Sequence, residues 1–146
     1  NMEIILKSKM KILKPASEVF DAFVNPEKIA NFWFTTSSHK WETGKTVTLT
    51  YDEYTAEFDI FIAETVPGKK IVFEWGAEDE KRTNTILFES LDDSSTVVTT
   101  LEEGWKENEN LTDELLKNKE GWVYMLVCLK AYLENGVNTL RTGLII

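Results

Sequence analysis

With 146 residues, 42% of them hydrophobic and 12% aromatic, the chain has the size and balance of one globular domain and not of a disordered segment. Twenty-five acidic residues against 16 basic ones leave a net charge of −9, which argues against nucleic acid and anionic membrane surfaces, since both recruit cationic faces. One cysteine, Cys128, and one histidine, His39, allow neither an internal disulfide nor a common zinc set, so no metal is expected. No cofactor is expected either, since the seven scattered glycines form no phosphate- or dinucleotide-binding loop.

The first apolar run, Ile4-Ile5-Leu6, is followed at once by Lys7, Lys9 and Lys11 and makes no signal-peptide core. Asn1 stands ahead of what reads as a natural start at Met2. The longest apolar run, Trp122 to Leu129, is far short of the roughly 20 residues of a membrane span. A single cytoplasmic domain over residues 1–146 is the expectation.

From Glu3 to Leu13 the pattern alternates, with Ile4, Leu6, Ser8, Met10 and Ile12 on one face and the three lysines on the other. That predicts a half-buried strand suited to a sheet edge. Pro15-Ala16-Ser17-Glu18 opens a helix with Val19, Phe20 and Phe23 as its apolar stripe, and Asn25-Pro26 ends it. Glu27 to Trp33 predicts a second short helix. Strands are expected at Lys45 to Tyr51, at Glu57 to Val66 with Phe58, Ile60, Ile62 and Val66 on one face, and at Lys70 to Trp75 with Ile71, Phe73 and Trp75 in step. The turn Val66-Pro67-Gly68-Lys69 joins the last two. Thr83 to Leu91 and Thr96 to Glu103 form another strand pair, and the pattern leaves both inward parities open. From about Leu115 to Asn135 a helical period takes over, with Trp122, Met125, Leu126, Leu129, Tyr132 and Leu133 on one face and Gly136 as its stop.

A strand, two short helices, five or six antiparallel strands and a long terminal helix is the order of the START and Bet v 1-like (SRPBCC) superfamily. Ile12-Leu13-Lys14-Pro15-Ala16-Ser17-Glu18-Val19-Phe20-Asp21-Ala22-Phe23 and Asn25-Pro26-Glu27-Lys28-Ile29 resemble its opening, and Phe32-Trp33-Phe34 resembles the end of its second helix. Glu64 to Trp75 is similar to its central hairpin. Glu103-Gly104-Trp105, then Gly121-Trp122 running on to Asn135-Gly136, resembles the branch of proteins like the activator of heat shock protein 90 ATPase. The resemblance covers residues 3 to 136. It implies an α+β helix-grip fold, a curved antiparallel sheet wrapped around the last helix. It leaves function open, because one scaffold serves lipid carriers, hormone receptors, cyclases and co-chaperone domains. Residues 137–146, ending Leu144-Ile145-Ile146, run past the usual stop as an apolar tail expected to dock on its own sheet edge or on a second copy.

Five tryptophans and eight phenylalanines are many for this length, and they fall in the parts that meet around a helix-grip cavity. The candidates to line a pocket are Trp33, Phe34, Trp41, Tyr51, Phe58, Ile60, Phe73, Trp75, Trp122, Met125, Leu126 and Leu129. The competing reading of each is plain core, since an aromatic ring buries about 150–250 Å² wherever it goes. Glu64 and Glu102 share the parity of inward residues and are candidate polar groups in the same space, with water-reaching rim positions as the alternative. His39, in a polar stretch without a partner, reads as a surface loop residue. No hydrolase elbow and no phosphate-binding glycine loop is present. A binder of a small apolar or amphipathic ligand ranks first. A chaperone-associated or homodimeric interaction module, with the stress-response setting its resemblance implies, ranks second. A cyclase- or hydrolase-like enzyme ranks third.

Overall fold

The computed structural model describes residues 3–145. Its seven strands form one antiparallel, curved, unclosed sheet in the order β1-β7-β6-β5-β4-β3-β2. The strands are β1 (Leu6–Ile12), β2 (Thr36–Ser37), β3 (Thr46–Tyr51), β4 (Ala56–Val66), β5 (Lys70–Trp75), β6 (Arg82–Asp92) and β7 (Ser95–Glu103). Helices α1 (Ala16–Val24) and α2 (Pro26–Ile29) follow β1, and α3 (Leu111–Asn135) closes the fold across the concave face. This is an α+β helix grip.

The lysine-studded strand lies at the sheet edge, paired only with β7. Its free side is covered by α3. The Lys119 ammonium donates to the Lys7 carbonyl and the Lys130 ammonium to the Lys11 carbonyl, while the Leu13 N–H donates to the Glu134 carboxylate. These bonds satisfy backbone groups that an open edge would offer to another chain.

Pairing between strands settles the parity that pattern alone left open. Asn84, Ile86 and Phe88 of β6 stand opposite Glu102, Thr100 and Val98 of β7 respectively, and all six face inward and are buried. Leu87, Leu91 and Leu101 face outward. Their large side chains are what blurred the alternation.

Three expectations need correction. The second helix is one turn at Pro26–Ile29, and residues up to Trp33 continue as turns in which Phe32 and Trp33 both bond back to the Ile29 carbonyl. The long helix starts at Leu111, four residues early, because its first turn is polar (Thr112, Asp113, Glu114) and carries no apolar period; the acids suit a helix N-terminus. In β4 a register shift separates the pairs Ile62–Phe73 and Glu64–Val72. The extra residue, Ala63, flips everything beyond it. Val66 therefore shares the outer face with Lys70, and Glu64 leaves the concave face to pair with the Lys70 ammonium at 2.9 Å.

The core lies between the concave sheet, α1 and α3. Phe20 and Phe23 meet Phe88 edge-on at 5.6 and 5.7 Å, and Ile12, Ile62, Ile71 and Leu129 are fully buried around them.

Candidate functional site

The helix does not fill the grip along its whole length. Beneath α3, from Lys117 to Cys128, lies a cavity of about 650 Å³, within the range of small-molecule pockets. The stretch of helix above it is roughly 16 Å long at 1.5 Å per residue. Its apolar wall is aromatic: Phe32 and Trp33 from the turns after α2, Trp75 from the end of β5, and Trp122 with Met125 from α3. Trp122 is the hub, with ring centres 5.4 Å from Trp33 and 5.8 Å from Trp75.

Gly121 explains part of the open space. It sits in the interior of α3, where glycine costs about 0.5–1 kcal/mol relative to alanine, and faces the cavity. A Cβ built there would meet no atom within 4 Å. No packing requirement calls for its small size.

One end of the cavity is held by Glu102. This carboxylate is fully buried, yet it accepts from four side chains: Trp122 Nε1 at 2.8 Å, Trp75 Nε1 at 3.1 Å, Arg82 Nε at 2.7 Å and Asn118 Nδ2 at 3.1 and 3.2 Å. A carboxylate offers about four lone-pair sites, so this one is saturated as an acceptor, which offsets the cost of burying it. Arg82 in turn lies 4.4 Å over the Trp105 ring and reaches Glu114 at 3.7 Å. Glu102 thus fixes two wall tryptophans through their indole N–H groups.

The other end is closed by the tail. After α3 the chain folds back, and Arg141 and Leu144 complete the cavity wall. Arg141 grips both Glu53 oxygens at 2.8 and 3.0 Å, and also donates to the Trp33 carbonyl and Thr35 Oγ1. The Tyr54 hydroxyl donates to the Leu144 carbonyl at 2.8 Å and the Tyr124 hydroxyl to the Leu140 carbonyl at 2.6 Å. The tail runs over its own domain at the cavity mouth, with Arg141 reaching Thr35 beside the edge strand β2, and Ile146 lies outside the described residues. Burial pushes the Cys128 thiol on this part of the wall above its ordinary value, so it is a poor nucleophile at neutral pH.

Of the residues proposed from the sequence, Trp33, Tyr51, Trp75, Trp122 and Met125 lie on this wall. Phe34, Trp41, Phe58, Ile60, Phe73, Leu126 and Leu129 stand behind it. Phe34 stacks on Trp33 at 4.5 Å, Trp41 and Phe73 meet at 5.2 Å, and Phe58 backs Trp75 at 6.1 Å. Ile60, Leu126 and Leu129 are buried in the core. Glu102 acts from beneath the wall, and Glu64 is on the far side of the sheet. Sequence reasoning missed Phe32, Tyr54, Asn118, Gly121, Arg141 and Leu144; of these only Gly121, a helix breaker inside a helical pattern, carried a local signal. His39 is exposed, with its Nδ1 2.8 Å from Ser38 Oγ. Among the described residues no cluster of metal-binding side chains occurs, and no helix is long and apolar enough to cross a membrane.

The sequence model of the family described as activator of Hsp90 ATPase homolog 1-like protein matches residues 14–134, most of the chain and nearly all of the grip. The chain belongs to this family. A crystal structure of a Staphylococcus saprophyticus protein is 47% identical, with a TM-score of 0.81 over 92% of this chain and 95% of that one. The family likeness extends at the level of fold to the Aha1 dimer from Colwellia psychrerythraea, at 17% identity and a TM-score of 0.79 over 91% and 98% of the two chains. It extends likewise to DynU16, a putative protein in the dynemicin biosynthetic locus, at 19% identity and a TM-score of 0.81; there 92% of this chain covers 48% of the other. No curated protein matches the chain.

Proposed function

We propose that this chain binds an apolar or amphipathic small molecule in the cavity between the concave sheet and α3. The observation that carries the reading is the aromatic wall opening onto about 650 Å³, with Gly121 where a side chain would occupy that space. Stacking and area burial on Trp33, Trp75 and Trp122 supply affinity without any reacting group. Binding is favoured over catalysis because the buried carboxylate is saturated by four donors and the Cys128 thiol is held protonated. Either would have to be freed before it acted as a base or nucleophile.

The test is a tryptophan fluorescence titration with 2-isopropylnaphthalene, on the wild type and on Gly121→Leu. Micromolar binding by the wild type, lost in a Gly121→Leu variant that unfolds no earlier than the wild type, supports the site. A wild type that binds no apolar probe contradicts it.

A further inference from the structure

Three tyrosines stand on the cavity wall, and two of them have their hydroxyls spoken for. Tyr54 and Tyr124 donate to tail carbonyls. Tyr51 differs. Its ring is wedged edge-on between Phe34 at 5.2 Å and Tyr54 at 4.8 Å, and its hydroxyl has no hydrogen-bond partner among the described residues. The hydroxyl lies on the cavity wall, where it is free to donate to an acceptor that arrives with the ligand.

The surroundings restrict what that partner is. Tyr54, Arg141, Cys128 and Glu53 are the ionisable groups that act on Tyr51 at this end, and the Arg141 charge is already met by both oxygens of Glu53. Burial, reinforced by Tyr54, holds the Tyr51 phenol protonated far above the physiological range, so it is available as a donor at any working pH. The same burial penalises a second anion beside it. The opposite end of the cavity, some 16 Å along α3, is walled by tryptophans and by Asn118, whose amide nitrogen is committed to Glu102.

Resting on the binding function proposed above, we infer that the ligand is a planar apolar skeleton carrying a neutral hydrogen-bond acceptor, a ketone, ester or ether oxygen, which receives the Tyr51 hydroxyl while the skeleton lies on Trp33, Trp122 and Trp75. Tyr51 is then the residue that orients the ligand and selects acceptor-bearing molecules over hydrocarbons of the same shape.

The experiment is a binding cycle with three probes, 2-acetylnaphthalene, 2-isopropylnaphthalene and 2-naphthoate, on the wild type and on Tyr51→Phe. The substitution removes only the hydroxyl, and unchanged thermal unfolding checks that the wall is intact. The expected result is that Tyr51→Phe weakens 2-acetylnaphthalene by about three- to tenfold, leaves 2-isopropylnaphthalene unchanged, and that 2-naphthoate binds the wild type less well than the ketone. Equal effects of the substitution on ketone and hydrocarbon, or none on either, overturn the inference while the cavity stands. Tightest binding by 2-naphthoate, insensitive to the substitution, overturns it in favour of an anion read by Arg141. If neither neutral probe binds the wild type, the cavity reading itself falls, and this inference with it.

Discussion

The two ends of the cavity are built differently. At the Glu102 end a fully buried carboxylate holds Trp75 and Trp122 from inside the fold, and its partners come from β5, β6 and α3. At the Arg141 end the wall is a tail without regular structure, attached by side chains to Glu53, Tyr54 and Tyr124. Breaking the Arg82–Glu102 pair strands a carboxylate with no exposure, whereas Glu53, paired with Arg141, keeps a quarter of its side chain in water and can be rehydrated. The first end therefore sets the shape of the wall. The second end is attached outside the core, so on the function proposed above it is the side from which a ligand would enter without disturbing the Glu102 contacts.

The contrast is broken or sharpened by substitution. The largest effect is expected for Glu102→Ala, which leaves two indole N–H groups, Asn118 and the Arg82 charge without their acceptor; the loss should be about 3–5 kcal/mol in urea unfolding. Arg141→Ala should cost less, about 1.5–3 kcal/mol by the same measurement, because its partner Glu53 can be rehydrated. Equal losses at the two positions would erase the distinction.

Gly121→Ala should raise stability by about 0.5–1 kcal/mol, since the added methyl meets open space and the helix gains propensity. If it destabilises instead, the cavity at that point is already filled. Gly143→Val probes the tail: a Cβ there would stand 2.6 Å from the Tyr124 hydroxyl and displace its bond to the Leu140 carbonyl. Dissociation of a bound naphthalene, followed by stopped flow, should then quicken several-fold with little change in melting temperature.

The smallest effect concerns acid. Burial alone would raise the Glu134 carboxyl, but the Lys130 ammonium and the Leu13 N–H outweigh it and hold the group below its ordinary value of 4.5. A carboxyl lowered by folding adds stability above its unfolded value and gives it up as the pH falls through the folded one. Stability measured from pH 6 to pH 3 should thus decline less steeply in Glu134→Gln than in the wild type.

The sequence carries the fold well because its signals are local: Pro15, Asn25-Pro26, the Pro67-Gly68 turn and a change of hydrophobic period near Trp122 each mark a boundary. It carries the wall tryptophans because aromatic residues in step with inward parity end up between sheet and helix. It does not carry Glu64, since the Ala63 bulge leaves no local trace and reverses every parity after it. Nor does it carry Arg141, Tyr54 or Asn118, whose places on the wall depend on contacts across 16 to 90 residues of chain. The tail was visible as an apolar extension, but the cavity mouth as its resting place follows from Arg141 and two tyrosine hydroxyls and not from its apolar residues.

The most direct test uses the five tryptophan indole N–H resonances in a nitrogen–proton correlation spectrum of the labelled protein, recorded while 2-acetylnaphthalene is added. Trp33, Trp75 and Trp122 face the cavity, whereas Trp105 lies outside it under Arg82 with its Nε1 bonded to the Glu102 carbonyl. Large saturable shifts of Trp33, Trp75 and Trp122, with Trp105 nearly still, are the predicted result. No shifts, or shifts led by Trp105, would contradict a ligand site between the sheet and α3.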